Sequence, residues 1–170
     1  MSDPFKKGKH VGGQIDPVDL AKYVIVKLGG ADHLKLQKLL YYIQSWHLVL
    51  FDGAPLFEED FRAWVHGPVL ISVWNELKDH SKLITEVGIK PQFVPAIIAR
   101  AEKCLQKEQV ELIDDVLEEY GNKTGYHLEC LTHSEDPWKN ARGDLLPDEK
   151  GSARISKSAM RKFYAARLAA

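Results

Sequence analysis

Long apolar runs are missing from this chain. Its most hydrophobic stretch, Leu34 to Leu50, is broken by Lys35, Gln37, Lys38, Gln44 and His47, well short of the roughly 18 consecutive apolar residues that a membrane-spanning helix needs. A helical membrane span is excluded, and no membrane partner is expected. Cysteine is scarce as well: Cys104 and Cys130 are the only two, too few for a disulfide framework. No leader of basic, apolar and small residues opens the chain, so the reading is a cytoplasmic protein. Charge of one sign is not in excess either. Lys and Arg number 23 against 24 Asp and Glu, for a net charge of −1, which argues against a dedicated nucleic-acid coat with its strongly basic balance.

Familiar catalytic signatures are also lacking. There is no Gly-x-Ser-x-Gly elbow, and Leu28-Gly29-Gly30-Ala31 has neither the spacing nor the lysine of a phosphate-binding loop. Ser134 or Cys130 beside His133 could be imagined as a nucleophile and its base, but neighbours in sequence are rarely the residues that meet in a catalytic site. His127, Cys130 and His133 stand three apart with Glu129 and Glu135 nearby, an arc of about 120° on a helix. Leu128 and Leu131 fall beside the same arc and are needed for the core, and no His-Glu-x-x-His or paired Cys-x-x-Cys accompanies them. They read as a buried cysteine flanked by hydrogen-bonded histidines. No catalytic residue, metal or cofactor is expected, and the chain is not read as an enzyme.

What is present is ordinary globular material: 170 residues, 45% hydrophobic and 28% charged. A chain of this length buries roughly 68–70% of its extended surface and can build a core unaided. Residues 1–14, with Lys6, Lys7, Lys9 and three glycines, hold too little apolar surface to offset ordering entropy and read as a flexible arm. Residues 15–170 read as one domain. Asp16-Pro17 is a helix start, the aspartate accepting an orphan amide and the proline supplying its φ at the first position, and Gly29-Gly30 is the stop. From about 33 to 50, Leu36, Leu39, Leu40, Ile43, Trp46 and Leu50 trace one apolar helical stripe. This should be the central helix of a mainly α bundle. Phe61, Ala63 and Val65 alternate with Arg62, Trp64 and His66, the period of a short strand, and 83–87 supplies a second one. The two are expected to form a small β element. Gly67-Pro68 should turn the chain into the next helix, with helices following near 94–105, 108–120 and 124–131. Asp136-Pro137-Trp138 repeats the capped, proline-first start, and a last helix runs over 156–168.

Charge is segregated along the chain. Glu111 to Asp136 carries eight acidic residues against Lys123 alone, whereas 139–170 carries eight basic against three acidic side chains. Either a solvated helix face is followed by a basic tail helix packed on it, or the acids Asp115, Glu118 and Glu119 steer a basic partner. Among the four tryptophans, Trp46 and Trp74 lie on apolar stripes, and Trp138 follows a helix start and plugs the end of the bundle. Trp64 shares its face with Arg62 and His66. That face is a binding hot spot if it points outward and simple core if helices cover it.

Four segments in order carry a resemblance: Leu34-Lys35-Leu36-Gln37-Lys38-Leu39-Leu40-Tyr41-Tyr42; Phe61 to Val69 with His66-Gly67-Pro68; Leu131-Thr132-His133-Ser134-Glu135-Asp136-Pro137-Trp138 leading to Ala141-Arg142; and the closing helix from Ile155 to Tyr164. Together they resemble the Panacea domain of SocA-like antitoxins and phage-associated proteins, over about residues 16–168. The resemblance implies a compact, mainly helical fold that neutralises a cognate toxin by direct protein contact. One alternative it implies is a protease adaptor, with a protease as partner, since the SocA member instead delivers its toxin for degradation. Phage-associated relatives without an obvious toxin imply an interaction protein of another role as a second alternative. Gln37, Lys38, Tyr42, Gly67, Pro68, His133, Glu135 and Trp138 match the motifs and are expected to be scaffold. Arg62, Trp64, His66, Asp115, Glu118 and Glu119 are the expected partner contacts.

Overall fold

The structure, a computed structural model, describes residues 14–79 and 84–170. All but the last residue of the 1–14 arm, and Leu83 of the expected second strand, lie outside the described residues. Helix α1 (Pro17–Leu28) begins as its sequence dictates: the Asp16 carboxylate accepts from the Val18 and Asp19 amides, and Gly29 ends it in the left-handed region at φ 71°. A two-residue strand, β1 (Ala31–Asp32), leads into α2 (His33–Leu50), whose 18 residues span about 27 Å. Helices α5 (Lys107–Tyr120), α6 (Gly125–Ser134), α8 (Lys157–Ala169) and α1 pack round α2, which is the expected central helix.

Because it is wrapped on nearly every side, α2 buries polar residues as well as its apolar stripe, including Gln37, Lys38, Gln44, Ser45 and His47. Each needs a partner inside the protein. Gln44 donates to Phe57 O at 2.8 Å and accepts from Leu56 N at 2.8 Å, tying down the loop after the helix. Gln37 does the same for Leu70, donating to its carbonyl at 3.3 Å and accepting from its amide at 2.9 Å. His47 donates from Nδ1 to Ala54 O at 2.7 Å, while Gln109 of α5 approaches its Nε2 at 3.1 Å as donor. Those partners require a neutral imidazole, and burial lowers the His47 pKa to about 4.

The strands are where expectation and structure part. Both predicted strand segments carry β structure, but they do not pair with one another. Strand β2 (Arg62–Trp64) folds back on β3 (Gly67–Val69) with Ala63 opposite Pro68, whereas β4 (Glu86–Val87) pairs with β1. Alternation reveals a strand without naming its neighbour; the two-residue turn and Gly67 at φ 100° make the local hairpin available. The other edge of β2 is covered too. Ala63 N donates to Ala153 O, and Ile155 N donates to Phe61 O, both at 2.8 Å. Pro68 consequently lies in a strand, and α3 (Ile71–Leu77) starts after it. Helix α4 (Val94–Cys104) follows a short 3-10 turn.

Asp136 is not a cap. Helix α7 (Asp136–Arg142) contains it, and Glu135 occupies the cap position without capping, its carboxylate being drawn into the core. The basic residues after 150 do not pack on the acidic face of α5. Arg161 pairs with Asp52 at 2.6 Å, Lys157 with Asp60 at 2.7 Å, and Arg167 with Glu135 at 3.0 Å.

Candidate partner-binding clefts

The β2–β3 hairpin gathers three of the four motif segments. Gly67 sits against Lys38 of α2 and Thr132 of α6: a Cβ there would lie 2.5 Å from Lys38 Cε and 3.0 Å from Thr132 Oγ1. Lys38 is 0% exposed and donates to Pro68 O at 3.0 Å. Burial lowers its pKa to about 7, a shift that the Glu129 and Asp32 charges oppose. Trp138 donates its indole N–H to Trp64 O at 2.8 Å, and His133 stacks on Trp138 with centroids 3.9 Å apart. Burial also lowers the pKa of His133.

On the outer side of this assembly lies a cleft of about 660 Å³ between the hairpin, the first turns of α2, α3 and the 148–152 loop. Its walls are Trp64 and Trp74, in an edge-to-face contact at 5.6 Å. The Trp64 indole N–H donates to Ser152 Oγ at 3.1 Å, and Trp74 stacks on His33 at 5.0 Å. His66 stands exposed at the rim, its Nδ1 2.8 Å from Glu129 Oε1. Arg62 does not line the cleft. It reaches Ser152 O at 3.4 Å instead. Trp64 is half buried, so the choice between outward face and core resolves as a cleft wall.

Asp115, Glu118 and Glu119 are exposed on α5. Asp115 and Glu119 border a second, smaller cleft of about 300 Å³ with Trp46, Leu50 and Tyr120. Trp64 and His66 therefore line one cleft and Asp115 and Glu119 another, with no lining residue in common, while Arg62 and Glu118 line neither. Trp46 and Tyr120 line the smaller cleft, which the sequence did not suggest, because Trp46 lies on the apolar stripe. It is half buried, its indole N–H donating to Tyr120 Oη at 3.2 Å.

The remaining candidates separate. Cys130 is exposed rather than buried, as is His127, and among the described residues no group of three His, Cys, Asp or Glu could hold a metal. The Ser134 hydroxyl donates to Leu131 O at 2.7 Å, while the His133 ring is held on Trp138. Glu135 is 3% exposed and accepts from Tyr42 Oη at 2.6 Å, Tyr164 Oη at 2.9 Å and Arg167 Nη1 at 3.0 Å. Desolvation raises its pKa, and those bonds act against the rise.

The described residues thus form a mainly helical domain with two aromatic-walled clefts bordered by charged residues. The family model for the antitoxin SocA-like Panacea domain matches residues 36–139, which is more than half of the chain, and the chain belongs to that family. No curated protein and no solved structure matches it. Among the described residues, no helix is long and apolar enough to cross a membrane.

Proposed function

We propose that this chain is the antitoxin of a toxin–antitoxin pair carried by a prophage or other mobile element, and that it neutralises a cognate protein toxin by direct contact in the cytoplasm. The observation that carries this reading is the match to the SocA-like antitoxin domain over residues 36–139. The contact surface we assign is the exposed acidic face of α5, Asp115, Glu118 and Glu119, beside the Trp46–Tyr120 dimple. Trp64, His66 and the neighbouring Arg62 form a second contact. Clustered carboxylates accelerate encounter with a basic partner, and a recessed aromatic pair offers the anchor that steering alone does not supply.

Co-expression with the reading frame next to this gene tests it. The neighbour is expected to be toxic alone, to be tolerated with this chain at equimolar dose, and to co-purify with it. Changing Asp115, Glu118 and Glu119 to Lys should slow association several-fold at low salt and much less at physiological salt, where screening acts within about 8 Å. Protection at strongly substoichiometric dose without an isolable complex would overturn sequestration. If that protection also required a cellular protease, delivery for degradation would replace it.

A further inference from the structure

Opposite in charge to the acidic face of α5 is a groove of about 650 Å³ between α1, α4 and residues 88–90, which shares no lining residue with either cleft. Of the 11 residues of α4 only Ala101 is buried. Phe93, Ala96, Ile97 and Arg100 stand at offsets of 0, 3, 4 and 7, one stripe of a helical surface, and all four line the groove. Ile89 and Ile97 are half-buried there, while Phe93 is 55% exposed. Apolar residues gathered within a polar rim mark an interaction site, whereas scattered ones do not. The rim is cationic: Lys22 of α1, Lys90 and Arg100 of α4 line the groove with a single carboxylate, Asp19. Asp19 lies 3.6 Å from Arg100, and Lys22 pairs with Glu76 of α3, outside the groove, at 3.2 Å. Lys90 is exposed and has no ion pair among the described residues.

We infer that this groove docks an acidic amphipathic helix of a partner protein, its apolar face on Phe93, Ile97 and Ile89 and its carboxylates against Lys22, Lys90 and Arg100. The rim selects the sign of the partner, since complementary charge favours the right partner and like charge repels the wrong one. The walls select its form. Helices α1 and α4 bond their backbone groups internally and present no edge to an extended strand, whereas a helix arrives with its own backbone satisfied and lays its apolar face in the groove. Small-ligand sites bury most of their ligand, but here Lys90, Phe93, Ala96 and Arg100 are exposed at the lip, which suits a larger partner lying across the surface. A second copy of this chain does not offer such a helix, because its acidic α5 has Leu112, Ile113 and Val116 buried in its own core. Residues 1–13, with Lys6, Lys7 and Lys9, carry the sign of the rim. This inference does not rest on the antitoxin reading, whose steering surface is the acidic face of α5.

A display library of helical peptides of about 15 residues, long enough for a helix to form, is panned on the purified full chain. Each peptide keeps one apolar stripe, and its outer face is drawn from Glu, Lys and Ser. Peptides of net negative charge are expected to be enriched, and their affinities are then measured by fluorescence anisotropy. Binding should weaken about fivefold in Lys90→Glu, as for loss of an exposed ion pair, and about tenfold or more in Phe93→Ala, as for an apolar anchor. High salt should shrink the first loss and leave the second. Both side chains are exposed, so the melting temperatures of the two variants should match that of the unaltered chain, and changing Asp115, Glu118 and Glu119 to Lys should leave binding of the acidic peptides intact. Failure to enrich acidic peptides overturns the proposal, as do acidic peptides that bind Lys90→Glu and Phe93→Ala as tightly as the unaltered chain. A dimer in sedimentation that Phe93→Ala dissociates would make a second copy the occupant and overturn it as well.

Discussion

Glu135 shows what one residue does in this fold. Its carboxylate joins α2 through Tyr42 and α8 through Tyr164 and Arg167, immediately before α7 begins. Truncating it would leave two buried phenol hydroxyls without their acceptor, each at about 1–3 kcal/mol. Glu135→Ala is therefore expected to lower stability by roughly 2–5 kcal/mol. Asp136→Ala should cost no more than about 0.5 kcal/mol, as for most exposed positions, because its carboxylate is exposed and only 3.7 Å from Lys139. Urea denaturation of the two variants checks this, and the opposite ranking would mean that Asp136 caps the helix after all.

At the scale of elements, the docking of the β2–β3 hairpin on α2 is decided where Gly67 meets Lys38. Alanine at 67 must adopt a φ of 100°, which disfavours any residue with a Cβ by roughly 1–2 kcal/mol, and it must also displace Lys38 Cε from 2.5 Å. Overpacking of this kind costs about 1–3 kcal/mol more. The second contribution depends on the lysine and the first does not. Gly67→Ala combined with Lys38→Ala should thus be less destabilising than the sum of the single changes, by about 0.5–3 kcal/mol. Strict additivity in a double-mutant cycle would show that the hairpin does not rest on Lys38.

For the molecule as a whole, the buried titratable groups predict how stability follows pH. His33 and His47 are both lowered from 6.5 to about 4 by burial. Between those values the unfolded chain takes up protons that the folded one refuses, so stability falls as pH drops from about 6.5 to 4. Each ring contributes a slope of up to about 1.4 kcal/mol per pH unit. Lys38, lowered from 10.5 to about 7, acts in the same sense over a higher window and makes stability rise from pH 7 towards 10.5. Above pH 10 the direction reverses, because burial raises the pKa of Tyr41, Tyr42 and Tyr164 and the unfolded chain ionises first. Stability is expected to be greatest at about pH 8–10, with a melting temperature higher at pH 9 than at pH 6. In Lys38→Met the gain between pH 7 and 9 should disappear. A maximum below pH 7 would contradict these environments.

Local chemistry was enough to determine the helices of this protein. Asp16-Pro17 and Gly29 bound α1, the spacing from Leu36 to Leu50 defines α2, and Ser156 starts α8, because caps, proline and 3.6-residue periodicity act within a few residues of the chain. The ordered motifs likewise place the chain in its family. Other features depended on contacts between distant segments, which leave no periodic trace. Which strand β2 pairs with, that residues 153–155 cover its second edge, and that Glu135 turns inward while Asp136 stays out were decided only in three dimensions. So were the clefts. Trp46 and Trp64 sit on similar patterns to core residues, and whether such a ring faces a neighbour or an opening depends on how far adjacent elements extend. Lys38 is the clearest case. In sequence it is one polar residue on an amphipathic helix, and it is buried because α2 lies at the centre of the fold, where a helix has no solvent face.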